Sequence, residues 1–211
     1  LYNVSLETLL GRAIGLLIGF TLHEFAHAWT ADRLGDRTPY NQGRLTLDPR
    51  AHIDPIGIAL ALLAGFGWAK PVPINPRAFY PNETRGLVLV SLAGPVMNLL
   101  IGIVVGLVLR ATLAADSLNN FTYNVLYTIM LFNLVLFLFN LLPFSPLDGY
   151  KIAVGVLPWR YSNDLVRYER ETTFALLLLL MVGVITRGRL DVLWAILGPP
   201  LTALRNLILG W

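Results

Sequence analysis

TLHEFAHAW, residues 21–29, closes an almost unbroken apolar run from Leu9 to Phe20. Its reading decides the fold. The run has membrane character, yet two histidines and a glutamate crowd its end, where polarity is costly. On a helix His23 and His27, four residues apart, lie about 40° apart around the axis and about 6 Å along it. Both imidazoles can therefore reach one metal ion. Glu24 projects from the adjacent position and can reach a water on that ion without ligating it. Two ligands plus a general base is the physical content of an HExxH motif. The competing reading is a pair of histidines that hydrogen-bond other helices. An intramembrane His-Glu-x-x-His needs a stronger reason to persist, which favours the metal.

Outward from this stretch the chain stays apolar. It has 211 residues, 55% hydrophobic and 14% charged, against about 25% charged in ordinary soluble domains. A soluble protein with a very apolar core is the bland alternative. Several runs approach the roughly 20 residues that cross a bilayer. The first span runs from Leu6 to about Arg33, the second from Gly86 to Leu113, the third from Phe121 to Leu142. Thr172–Thr186 reads as a short span. Ile56–Gly67 is too short to cross and suits a re-entrant segment. Tyr150–Arg170 is mixed and interfacial, and Leu190–Trp211 is apolar but interrupted by Pro199 and Pro200. The expectation is an all-α polytopic membrane protein with about four to six transmembrane or re-entrant helices and a small β-strand or hairpin element near the active site. Residues 1–211 read as a single domain.

Charge gives an orientation. Arg33, Arg37, Arg44 and Arg50 follow the first span, and Lys151, Arg160, Arg167 and Arg170 follow the third. The polar loop between the second and third spans carries only Asp116. By the positive-inside rule both basic clusters lie in the cytoplasm. The N-terminus is then outside, and the histidine end of the first helix faces the cytoplasm. No basic stripe with interleaved aromatics points to nucleic acid. The absence of cysteine removes disulfides and thiolate ligands.

A catalytic zinc usually takes three protein ligands and leaves a position for water. Thr30 stands where HExxHxxGxxH would need glycine, so the motif does not continue in that form. Asp48 and His52 lie in the polar loop that follows. Asp148, in PFSPLDGY, directly follows a span and can sit at the depth of His23 and His27, which makes it the better candidate. Taken alone, its Pro-x-Asp-Gly context is a common turn.

HEFAH, then SLAGPVMN (residues 91–98), then NLLPFSPLDG (residues 140–149) resemble, in this order, the site-2 protease family of intramembrane zinc metalloproteases. GRLTLDPRAHIDPIG and GWAKPVPINP resemble its short, single-domain branch, without PDZ or CBS domain. The resemblance runs from about Thr21 to Ile152. It implies one Zn2+ per chain held by His23, His27 and Asp148, with Glu24 as catalytic base. It also implies a catalytic role for Asn140, whose amide could donate to the substrate carbonyl or its oxyanion; a helix–helix hydrogen bond is the bland alternative. Asn98 carries a weaker version of the same suggestion. Gly94 reads as a site of close helix packing, and His52 as structural.

The implied activity is hydrolysis of peptide bonds within or near transmembrane segments, in regulated intramembrane proteolysis. The partners would be a single-pass transmembrane protein or membrane-embedded peptide, and the lipid bilayer of the cell membrane. A non-catalytic metal-binding or zinc-transport protein is the alternative, though a transporter would spread its ligands along a path. An extended substrate in hydrocarbon needs backbone partners. GWAKPVPIN, residues 67–75, is the expected edge strand, offering the amides of Lys70, Val72 and Ile74.

Overall fold

The computed structural model describes residues 5–64, 67–115, 119–186 and 188–211. Ser5 caps the first helix by accepting the Thr8 amide, and α1 runs from Leu6 to Arg33. Its 28 residues span about 42 Å, more than the roughly 30 Å hydrocarbon core. A single turn, α2 (Thr38–Asn41), and the ten-residue α3 (Pro55–Ala64) follow. Next come α4 (Glu83–Ala114) and α5 (Asn120–Asn140). Two short helices, α6 (Asp148–Val156) and α7 (Trp159–Arg167), lead into α8 (Glu169–Ile185) and α9 (Val192–Leu209).

Four helices, α1, α4, α5 and α9, are long and apolar enough to cross a membrane. Their outer faces are apolar, and part of their interior is polar. Leu9, Ile14, Leu17, Leu100, Val104 and Leu107 are exposed, while His23, Glu24, Asn98 and Asn133 are buried. This all-α membrane architecture is the expected one in its main lines. One difference is at the C-terminal end. Pro199 and Pro200 lie inside a continuous α9, because membrane helices tolerate proline where neighbouring groups take up the freed carbonyls. The expected outer loop around Asp116 falls on residues 116–118, outside the described residues.

Small residues set the geometry of α1, α4 and α5. Gly11, Gly15 and Gly19 of α1 are spaced by four. A methyl group at these positions would stand 2.6 Å from Thr128 Cβ, 3.4 Å from Ile129 Cα and 2.8 Å from Asn133 Oδ1, respectively. This small-xxx-small seam lets two backbones approach closely. Contacts advance together on both helices, so α1 and α5 run parallel. On α4 they run backwards: Asn98 meets Asn133, Gly102 meets Leu134 and Gly106 meets Met130. Thus α4 is antiparallel to both. The end of α1 that carries the histidines, the start of α4 and the end of α5 meet at one end of the bundle.

No strand forms among the described residues. Residues 67–75 make one isolated antiparallel bridge, between Ile53 and Ala69. The small β element expected here is not found among the described residues, and two of the three amides of the expected edge, those of Lys70 and Val72, have partners. Lys70 N–H donates to His52 O at 2.7 Å, and Val72 N–H to Glu24 Oε2 at 3.0 Å. Pro71 and Pro73 have no donor to give. Asn75 N–H donates to Asp36 Oδ2 at 2.7 Å, and the Arg44 guanidinium donates to Lys70 O. The segment is therefore a strap, fastened by groups from α1 and the following loop across the end of the bundle.

Candidate metal centre

His23 and His27 project from α1 toward the start of α6, ten and six residues before its C-terminal Arg33. That puts them about 15 and 9 Å from the helix end. Room for both rings comes from α4. A methyl group on Gly94 would stand 2.4 Å from His27 Nε2 and 2.6 Å from His23 Nε2. Asp148 opens α6, and Gly149 behind it lets the chain pass α5, since a Cβ there would lie 2.3 Å from the Leu141 carbonyl.

These elements bring three ligand atoms together. His23 Nε2 and His27 Nε2 are 3.0 Å apart, and Asp148 Oδ2 is 3.1 and 3.2 Å from them. All three side chains are buried. Tetrahedral zinc with bonds of about 2.0–2.1 Å has ligand–ligand edges of about 3.3 Å, so this triangle is close to what zinc requires.

The hydrogen bonds behind the rings say why a cation belongs there. His27 Nδ1 stands 2.7 Å from Val90 O, which only accepts, so Nδ1 carries the proton. His23 Nδ1 stands 2.5 Å from Asn98 Oδ1, again an acceptor. Neutral imidazole has one N–H; both Nε2 atoms then present lone pairs to each other and to a carboxylate. Three converging lone pairs repel unless a cation sits among them. Asp148 contributes a carboxylate oxygen as the third ligand atom of the group. Outer partners that fix histidine orientation are the common support of metal sites.

Glu24 is buried beside this triangle, its Oε2 accepting the Val72 amide. A cavity of about 310 Å3 opens in front, lined among others by Trp68, Val72, Leu136, Phe139 and Asn140. Asn140 reaches the cavity wall, but its Nδ2 donates to Leu136 O at 2.9 Å within its own helix. Asp48 caps a short turn by accepting the Arg50 amide, and is not part of the His23–His27–Asp148 group. His52 is fully buried and its Nε2 donates to Thr46 O at 2.8 Å, a loop-bracing role.

Comparison with known proteins agrees with this chemistry. "Putative zinc metalloprotease YwhC" of Bacillus subtilis (strain 168) is 47% identical over 162 residues, covering 74% of this chain and 73% of that protein. The chain belongs to the site-2 protease family. "Putative zinc metalloprotease Rip2" of Mycobacterium tuberculosis (strain ATCC 25618 / H37Rv) is 36% identical over 141 residues, 64% of this chain and 53% of that one. "Zinc metalloprotease MJ0392" of Methanocaldococcus jannaschii is 27% identical over 147 residues, 70% of this chain and 34% of that one. No family model and no solved structure matches the chain. The names of the relatives imply zinc and support a metalloprotease function, and the His-His-Asp group could hold a metal ion.

Sequence reasoning did not find Asn133, Asp36 or the role of Arg44. Asn133 is fully buried and bonds Asn98; Asp36 is almost fully buried and ties Thr38 to Asn75. Arg44 is buried, and its Nε has no partner among the described residues. Burial pushes its pKa down and the charge of nearby Glu24 pulls it up, with a net lowering.

Proposed function

We propose that this chain is an intramembrane zinc endopeptidase that cleaves peptide bonds within or near transmembrane segments, as in regulated intramembrane proteolysis. The observation that carries this reading is the triangle of His23 Nε2, His27 Nε2 and Asp148 Oδ2, with Glu24 beside it, at the end of a bundle of apolar helices. His23, His27 and Asp148 hold the metal, one ion per chain. Zinc supplies the Lewis acidity that polarises a scissile carbonyl and makes water nucleophilic near neutral pH.

The protein's own groups do the rest. Glu24 takes the proton of the attacking water and returns it to the leaving amine. A carboxylate has about four acceptor sites, so the Val72 amide leaves capacity for that water. Asn140 has two amide hydrogens and Leu136 O takes one. The other is free to donate to the carbonyl oxygen as it becomes negative. The apolar walls at Leu136, Phe139 and Val72 suit side chains of a transmembrane segment, and Lys151 at the rim suits an approach from the polar side. The substrate is a single-pass membrane protein or membrane-embedded peptide. The site faces the cytoplasm of the cell membrane.

The test is a cleavage assay on a panel of single-pass substrates in detergent or liposomes. The wild type should cut at least one member within or next to its span, and Glu24→Gln should cut none while retaining zinc. A zinc transporter would keep moving metal in that variant. Orientation is read separately with single cysteines at Gln42, Asn119 and Ser162 and an impermeant thiol reagent on intact cells. Labelling is expected at Asn119 alone; labelling at Gln42 with protection at Asn119 inverts the topology.

A further inference from the structure

We infer that Asn133 is a positioning residue for the metal centre: through Asn98 it fixes the tautomer of His23. The inference rests on the zinc reading above. Asn98 and Asn133 are fully buried on α4 and α5; Asn98 reaches the wall of the cavity in front of the metal triangle, and Asn133 is not among the residues that line it. The direction of each bond in the chain follows from its far end. Asn133 Nδ2 is 2.9 Å from Ile129 O. A backbone carbonyl only accepts, so Asn133 must aim its NH2 there and its Oδ1 the other way.

Asn133 Oδ1 is 3.1 Å from Asn98 Nδ2, and that same nitrogen is 3.3 Å from Gly19 O. Both amide hydrogens of Asn98 are thereby committed to acceptors. Its oxygen is left to face His23 Nδ1 at 2.5 Å. His23 must then carry its proton on Nδ1 and its lone pair on Nε2, the atom of the metal triangle. Were Asn98 turned over, its NH2 would face His23 Nδ1 and favour the other tautomer, with a proton where the metal belongs. Gly19 O alone cannot prevent this as firmly as two acceptors can. The relay spans three helices and ends on Ile129, in the middle of the bundle. It explains two buried amides in hydrocarbon that Glu24 chemistry does not use.

The chain has three histidines, which makes the test direct. Histidine labelled with 15N reports which ring nitrogen carries the proton, in metal-free protein at a pH where the rings are neutral. His23 and His27 should show Nδ1–H. His52, which donates from Nε2 to Thr46 O, should show the opposite and serves as the internal control. In Asn133→Leu the His23 signal should move toward Nε2–H while His27 and His52 stay. Zn2+ affinity, by competition with a chelator, should fall about ten- to a hundredfold. Asn133→Asp keeps the acceptor for Asn98 and should hold affinity within about threefold, below that range.

Equal affinity in wild type and Asn133→Leu overturns the inference, as does equal loss in the Leu and Asp variants, which would mean packing alone. If Asn133→Leu does not fold, Asn98→Asp against Asn98→Leu asks the same question at the next link: Asp should keep zinc and Nδ1–H on His23, and Leu should lose both. Equal behaviour of that pair also overturns it. If wild type binds no zinc through His23, shown by an unchanged affinity in His23→Ala, the metal reading itself falls instead.

Discussion

The two ends of the α1–α4–α5 bundle are built on opposite rules. At the far end Leu109, Met130, Leu134, Leu201 and Ile208 form an apolar core shared by α4, α5 and α9. The contacts there have no fixed direction, so side chains can repack after a small movement at moderate cost. At the near end α1, α4, α5 and the start of α6 bury His23, Glu24, His27, Asn98, Asn133 and Asp148. Each polar group there has a partner of fixed direction, so a small movement breaks a bond in low dielectric. One end supplies stability through packing. The other spends stability to hold groups that water would otherwise solvate.

The sharpest way to break this contrast is to change chemistry without shape. Glu24→Gln removes the proposed general base and keeps the volume and an acceptor for the Val72 amide. Cleavage should fall by about 10^2–10^4, with zinc content and melting temperature unchanged. Leu109→Ala at the far end should do the reverse, lowering the melting temperature while turnover per folded molecule stays normal. An active Glu24→Gln enzyme removes the base from Glu24.

Adding one methyl group at each end compares the two rules directly. In Gly94→Ala the new carbon meets two imidazoles, at 2.4 and 2.6 Å, that cannot retreat without leaving Val90 O and Asn98. Zinc affinity should drop by more than about tenfold, as when an outer partner is lost. In Gly106→Ala it meets Ile208 Cγ2 at 2.4 Å and Met130 Sδ at 2.8 Å, both ends of mobile side chains. Overpacking of this kind costs about 1–3 kcal/mol, read as a lower melting temperature with zinc affinity intact. Loss of zinc in both variants would mean the ends are not independent.

How far the sequence reaches follows the same division. Spans are legible because hydropathy is a local sum, and the bounds of α1 coincide with the expected Leu6–Arg33. The HEFAH pair is legible because helical spacing alone puts His23 and His27 together. Asp148 is legible because it follows a span closely enough to sit at the depth of the histidines, and it opens α6. The GxxxGxxxG spacing of Gly11, Gly15 and Gly19 was available and names the α1–α5 seam. Asn133, Asp36 and Arg44 had no such signal. Each acts on a partner at least 26 residues away, and one polar residue carries no period. Residues 67–75 read as a strand because prolines two apart suit an edge; what decides their state is that the His52 carbonyl and the Glu24 and Asp36 side chains take the amides of Lys70, Val72 and Asn75.

Arg44 tests whether the strap belongs to the rigid end. Its guanidinium donates to Lys70 O, beside the amide pair of Lys70 and His52. Arg44→Met keeps much of the stem and removes the donor. A hydrogen bond from a charged group is worth about 1.5–3 kcal/mol. Cleavage should fall by about tenfold, the low end of that range, with zinc content unchanged. Equal loss of zinc would place Arg44 in support of the metal instead.

The smallest effect is expected at the strap's other anchor. Asp36 is almost fully buried, and its two oxygens divide the work: Oδ1 accepts from Thr38 and Oδ2 from Asn75. Asp36→Asn keeps one acceptor and turns the other into a donor facing an N–H. One bond is lost, and a net hydrogen bond is worth about 0.5–1.5 kcal/mol. The strap remains fastened by Arg44, by the His52 carbonyl and by Glu24, so the loss is confined to its end. Hydrogen exchange at the Asn75 amide should speed up by about three- to tenfold, while the Val72 amide keeps its protection. Cleavage should drop by no more than about threefold. A fall as large as that of Arg44→Met, with Val72 exchanging as fast as Asn75, would show that the strap opens as one unit rather than fraying from its end.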